Sequence, residues 1–216
     1  MKLIQKKITK MLLPPIIPLL YLKIFKKNSA SLFDGDDKLF KKILGDTRVY
    51  GEYGCGQSTE WVLKNTNVSI KAVDTSKEWV KRVLNNISKN DDHRIKIDYI
   101  DLGEIGNWGR PVGYSHKESI SLYTDMIWTQ GEKPDTVLID GRFRVCCLLT
   151  SLKYADEGTR LVFDDYTDRR HYHVVEKFVE REEVCGRQCL FIVPNKVNIN
   201  IKELDKEIER FRYVME

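Results

Sequence analysis

The chain contains no C-x-x-C pair, no apolar run of bilayer length, no internal repeat and no low-complexity tract. Its five cysteines, Cys55, Cys146, Cys147, Cys185 and Cys189, are odd in number and lack zinc spacing. That excludes a disulfide scaffold and a zinc site, and leaves buried thiols in a reducing compartment. The most apolar stretch, Met11 to Leu22, covers 12 residues, against roughly 20 for a membrane-crossing helix. Pro14, Pro15 and Pro18 break it. No small-residue cleavage site follows it, so a signal peptide is not expected.

What is present describes one domain. The chain has 216 residues, 42% apolar and 31% charged, which suits a single α/β domain with short additions. The net charge of +4 is uneven. Seven lysines precede the first acid, Asp34, leaving −3 on the remainder. The folded body is therefore slightly acidic, and nucleic acid is not an expected partner. Residues 1–33 form a basic, apolar arm. Two roles stay open for it: peripheral contact with an anionic membrane face through residues 1–27, or packing against its own domain or a second copy of the chain. The expected location is cytoplasmic, and peripheral on the inner face of a membrane if the arm takes the first of these roles.

Residues 34–200 read as the domain and 201–216 as a C-terminal helix. Strands are expected at 48–53, 68–73, 94–100, 135–139, 159–163 and 188–193. Helices are expected at 36–44, 58–64, behind a Thr75/Glu78 capping box, at 143–154, 170–181 and 201–213. Strands alternating with helices predict a doubly wound, mostly parallel, Rossmann-like sheet. Residues 101–134 are irregular. Trp108, Tyr114, Tyr123 and Trp128 make this segment either an acceptor lid or an aromatic mini-core.

In such a sheet, ligands bind beyond the carboxyl ends of the strands. Strand one ends in Glu52-Tyr53-Gly54-Cys55-Gly56-Gln57-Ser58, and strand two in Asp74. Gly54 and Gly56 allow a tight turn that brings main-chain N–H groups to a helix N-terminus. An acid about 20 residues later can accept both ribose hydroxyls. Ser58 replaces the third glycine of the dinucleotide pattern, and Glu52 would repel a phosphate. Glu52 is expected to face the cationic end of a ligand, which favours a positively charged nucleoside over NAD.

These residues, Glu52 to Thr59 followed by Asp74, resemble the first two motifs of class I S-adenosylmethionine-dependent methyltransferases. The resemblance spans roughly residues 47–165. It implies the class I methyltransferase fold, with a seven-strand sheet, and S-adenosylmethionine as cofactor. It places Glu52, Gly54, Gly56 and Ser58 at the methionine part, Asp74 at the ribose, and Asp101 or Leu102 near the adenine. The segments Pro134–Asp140 and Gly158–Asp165 resemble the metal-site strands of catechol and macrocin-type sugar O-methyltransferases. By that resemblance Asp140, Asp164 and Asp165 would hold Mg2+, with Asp140 also catalytic. Bound metal would lower the pKa of an acceptor hydroxyl. The chain departs from the catechol pattern in having Gly141-Arg142-Phe143-Arg144 after Asp140 and no lysine. Arg142 or Arg144 could turn inward and neutralise the acids without metal, or hold an acidic substrate. For a base, His171 is expected to face the sheet and His173 to face water.

The expected function is methyl transfer to a hydroxyl of a small-molecule or glycan acceptor, with a homo-oligomer among the expected assemblies. Two alternatives remain: a non-catalytic methyltransferase-like protein of a glycan-synthesis complex, and a nicotinamide-dependent enzyme.

Overall fold

A computed structural model describes residues 32–33 and 36–215. The expectations for the N-terminal arm fall almost wholly outside these residues. Among the described residues no helix is long and apolar enough to cross a membrane.

The chain from Gly35 onward forms one unit. Its elements run α1 (Lys38–Leu44), β1 (Val49–Tyr53), α2 (Gln57–Asn65), β2 (Ser69–Asp74), α3 (Lys77–Asn85), β3 (Ile95–Tyr99), α4 (Ile120–Thr129), β4 (Thr136–Ile139), α5 (Arg144–Tyr154), β5 (Arg160–Phe163), a 3-10 helix (Arg170–Lys177), β6 (Arg181–Cys185), β7 (Gln188–Ile192) and α6 (Ile201–Phe211). One sheet holds all seven strands in the order β3-β2-β1-β4-β5-β7-β6. β1 pairs in parallel with β2 and β4, β2 with β3, and β4 with β5. β7 runs antiparallel between β5 and β6.

Local sequence explains the centre of the sheet. β1 and β4 are buried at every position, as strands covered on both faces must be, so they read as short apolar runs. α5 is buried over its first nine residues, including both Cys146 and Cys147. Val145 to Leu149 and Leu152 leave only Arg144, Thr150 and Ser151 as polar groups in that buried stretch, and a helix so largely apolar belongs inside. α6 buries the single stripe Leu204 and Ile208 in the same core.

Three details differ from the sequence reading. α3 is capped one residue later than expected: the Ser76 hydroxyl, not Thr75, accepts from the Trp79 N–H at 3.3 Å. The helix expected over 170–181 is a 3-10 helix that stops at Lys177, and β6 begins at Arg181. β6 went unread because its sequence, REEVC, has no apolar alternation, and charge is what exposed edge strands carry. Finally, 101–134 contains α4, which splits the four aromatics. Tyr123 and Trp128 are buried on α4, while Trp108 and Tyr114 are exposed. Trp128 Nε1 donates to Tyr53 Oη at 2.8 Å, and Tyr53 Oη donates to the Thr124 carbonyl at 2.5 Å. Half of the expected lid is thus the mini-core, while Trp108 and Tyr114 lie exposed, Tyr114 donating to the Tyr213 carbonyl at 3.1 Å.

Candidate functional site at the carboxyl rim

The turns after β1, β2, β4 and β5 meet at one rim. After β1, Gly54 adopts φ +90° and lies against the next parallel turn, where a Cβ on Gly54 would stand 2.8 Å from the Gly141 Cα. Gly56 is different: a Cβ there would meet no atom within 4 Å. The glycine turn therefore has one face packed on the protein and one open to a ligand.

Asp74 closes the turn from the side. Its carboxylate accepts from the Cys55 N–H at 2.8 Å and the Ser76 N–H at 2.6 Å. Burial raises its pKa and these backbone bonds oppose the rise. The residue thus joins the first two turns, and its nearly buried carboxylate still has acceptor capacity beyond those two bonds. Beside it, Thr75 Oγ1 donates to the Gly109 carbonyl at 2.6 Å, which ties the 101–119 segment to the rim. Burial and the nearby acids Asp74 and Glu52 drive the Cys55 thiol far above its ordinary range, so it is not a thiolate nucleophile.

The Glu52 side chain does not reach the open rim. It is fully buried beneath the turn, where its carboxylate accepts from the hydroxyls of Ser58 and Thr59, the latter at 2.6 Å. Thr59 Oγ1 in turn accepts from the Gly56 N–H at 2.9 Å. Burial pushes the Glu52 pKa up to about 8 against the pull of these hydroxyls. The expected contact of Glu52 with a cation and that of Ser58 with the cofactor give way to a pairing of the two residues under the turn. The reason is strand parity: Glu52 points into the layer covered by α2, not along the rim.

At the end of β3, the Asp101 carboxylate accepts from the Gly103 N–H at 2.9 Å and lies 3.4 Å from His116 Nδ1. That backbone bond lowers its pKa. Asp101 stays on the exposed rim, while Leu102 is buried in the core.

The three acids assigned to metal are engaged otherwise. Asp140 Oδ1 accepts from Arg144 Nη2 at 2.8 Å. Asp165 pairs with Arg187 at 2.8 Å, Arg169 at 2.7 Å and Arg144 at 3.3 Å. Asp164 accepts from Gln188 Nε2 at 3.1 Å and Arg187 Nη2 at 3.4 Å. Among the described residues, no three His, Cys, Asp or Glu side chains are grouped to hold a metal ion. A donor set already matched by three arginines does not fit Mg2+, so the expected Mg2+ site is corrected to an ion-pair network. Burial and the neighbouring acids raise the Asp140 pKa, while Arg144 lowers it. The sequence signalled Arg144; it gave no sign of Arg187.

His171 and His173 exchange roles. His171 is exposed, its ring edge-on to Tyr172 at 4.4 Å. His173 is half-buried against the Tyr166 ring at 4.8 Å. The expected faces assumed 100° per residue, whereas a 3-10 helix turns about 120°. His171 therefore does not point toward the sheet.

Backbone strain gathers here too. The three non-glycine residues with positive φ among the described ones are Trp108, Phe143 and Asp165 at 61°, 55° and 60°. All lie in segments that follow strands at the carboxyl rim, where such conformations tend to mark function.

The strand order, the lone antiparallel β7, and the glycine turn opposite an acid at the end of β2 define the Rossmann-like class I methyltransferase fold. The chain is similar in structure to a methyltransferase-like protein from Silicibacter pomeroyi, with 27% identity over 79% of this chain and 92% of that one, at a TM-score of 0.65. A second similar structure is the N-methyltransferase NodS from Bradyrhizobium japonicum in complex with S-adenosyl-L-homocysteine: 15% identity, 80% of this chain, 98% of that one, TM-score 0.46. No protein-family model and no curated protein matches the chain.

Proposed function

We propose that the protein is an S-adenosylmethionine-dependent methyltransferase whose acceptor is a hydroxyl of a sugar or glycan. The observation that carries the cofactor is the turn at Gly56. Its open face lies beside Asp74, which offers remaining acceptor capacity at a spacing suited to a ribose. S-adenosylmethionine would supply a sulfonium methyl group for in-line attack.

The residues here have distinct jobs in that reading. Gly56 leaves room for the methionine part, Asp74 accepts from the ribose hydroxyls, and Asp101 stands at the adenine end. Asp140 is the rim carboxylate assigned to take the acceptor proton, since its side chain is 34% exposed at the rim. Neither His171 nor a metal is given a part. The hydroxyl acceptor rests on the sequence resemblance to sugar O-methyltransferases, and the exposed Trp108 and Tyr114 would suit a sugar face.

A second reading, a methyltransferase-like protein that binds without turnover, is favoured by the Arg144 contact that already occupies Asp140. Thermal shift with S-adenosylmethionine, S-adenosylhomocysteine and NAD, followed by methyl transfer from labelled S-adenosylmethionine to sugar acceptors, separates the readings. A ligand at 100 times its Kd adds about 2.7 kcal/mol. A shift with NAD alone, or none at millimolar nucleoside, rejects the proposal; a shift without transfer leaves the binding protein.

A further inference from the structure

Arg144, the first residue of α5, is 4% exposed and sits between the turns after β4 and β5. Its guanidinium reaches five oxygens. Nε donates to the Gly141 carbonyl at 3.1 Å, and Nη1 to the Asp164 carbonyl at 2.7 Å and Asp165 Oδ2 at 3.3 Å. Nη2 donates to the Asp140 carbonyl at 3.1 Å and to Asp140 Oδ1 at 2.8 Å. Three backbone carbonyls and two carboxylates around one positive centre form the oxygen set that a hard divalent cation collects. Here a side chain that cannot lose its proton collects it.

We propose that the Arg144 guanidinium is a built-in cation that takes the place of a divalent ion between the β4 and β5 turns. Three consequences follow from its chemistry. The guanidinium joins two turns whose backbones are held in left-handed conformations at Phe143 and Asp165. It shuts divalent ions out, because an incoming ion would have to displace a buried, permanently charged group from all five oxygens. Its removal leaves the Asp140 and Asp165 carboxylates and three carbonyls lining one space, with Arg169 and Arg187 still paired to Asp165, Arg187 also to Asp164, and the charge of Arg142 still acting on Asp140. The inference concerns cation binding only and does not depend on methyl transfer.

The test is Mn2+ binding to the full chain, read by loss of the free-ion electron paramagnetic resonance signal and by thermal shift. Wild-type protein should leave millimolar Mn2+ free and melt at the same temperature with or without it. Arg144→Gln should bind one Mn2+ per chain, roughly tenfold or more tighter than wild type, and its melting temperature should rise with the ion. Adding Asp165→Asn should abolish that binding. If Arg144→Gln does not fold in metal-free buffer, Mn2+ should restore its folded signal. The idea is overturned by one-to-one binding to wild type that Asp165→Asn removes, by a folded Arg144→Gln that binds nothing, by an unfolded one that Mn2+ does not rescue, or by binding that survives Asp165→Asn.

Discussion

Gly54 and Gly141 pack backbone to backbone, so that a Cβ on Gly54 would fall 2.8 Å from the Gly141 Cα and one on Gly141 2.9 Å from the Gly54 nitrogen. Two adjacent parallel turns thus touch, and the Tyr123 hydroxyl closes the same space from the side, since a Cβ on Gly141 would meet it first. Gly141→Ala should destabilise the fold by about 1–3 kcal/mol, the cost of overpacking a close contact. Chemical denaturation would measure it, and an unchanged midpoint would show that the Tyr123 hydroxyl and the Gly54 turn both give way to the added methyl group.

Glu52 sets a pH dependence. Its pKa is raised from 4.5 to about 8 by burial, so the native state keeps a proton that the unfolded chain has lost. This contribution is fully present below pH 4.5 and is lost as pH rises toward 8, with a slope on the order of 1.4 kcal/mol per unit. Glu52→Gln removes the ionisation and keeps one oxygen for Ser58 or Thr59, with its amide nitrogen turned to the other hydroxyl. Melting curves across pH 5–9 should be flatter for the variant, with its advantage confined to the alkaline side.

Asp74 serves the turn as well as any ligand. Asp74→Asn loses the charge that two backbone N–H groups share, at about 1–3 kcal/mol of stability. S-adenosylhomocysteine affinity, measured calorimetrically, should fall by about tenfold or more while the circular dichroism spectrum stays native. Equal affinity would remove Asp74 from the nucleoside site.

Arg144→Met, in metal-free buffer, should cost about 3 kcal/mol, the result of leaving Asp140 without its ion-pair partner and three carbonyls without their donor, while Asp165 keeps Arg169 and Arg187. The loss should shrink as pH falls and Asp140 and Asp164, whose pKa values burial already raises, take up protons. A loss of stability that is constant between pH 5 and 8 would mean that packing, not charge, is what Arg144 contributes.

Trp108 is 72% exposed and precedes Gly109, whose carbonyl is held by Thr75. A nucleoside bound beside Asp74 should alter its fluorescence, and Trp108→Phe should abolish the change without weakening binding more than about threefold. A response that persists would come from Trp61, Trp79 or the buried Trp128.

The sheet was legible in the residues because its central strands are covered on both faces and read as short apolar runs between turn residues. The order of glycine turn, Asp74, Asp140 and Asp164-Asp165 along the chain already implied a shared rim, since parallel strands end on one side. Which partners those acids have was decided only by tertiary structure. Arg187 sits in the β6–β7 turn, 23 residues beyond Asp164, and reaches it only because β7 runs antiparallel beside β5. A carboxylate carries no mark of whether metal, ligand or guanidinium will meet it, so sequence alone could place the acids but not say what neutralises them.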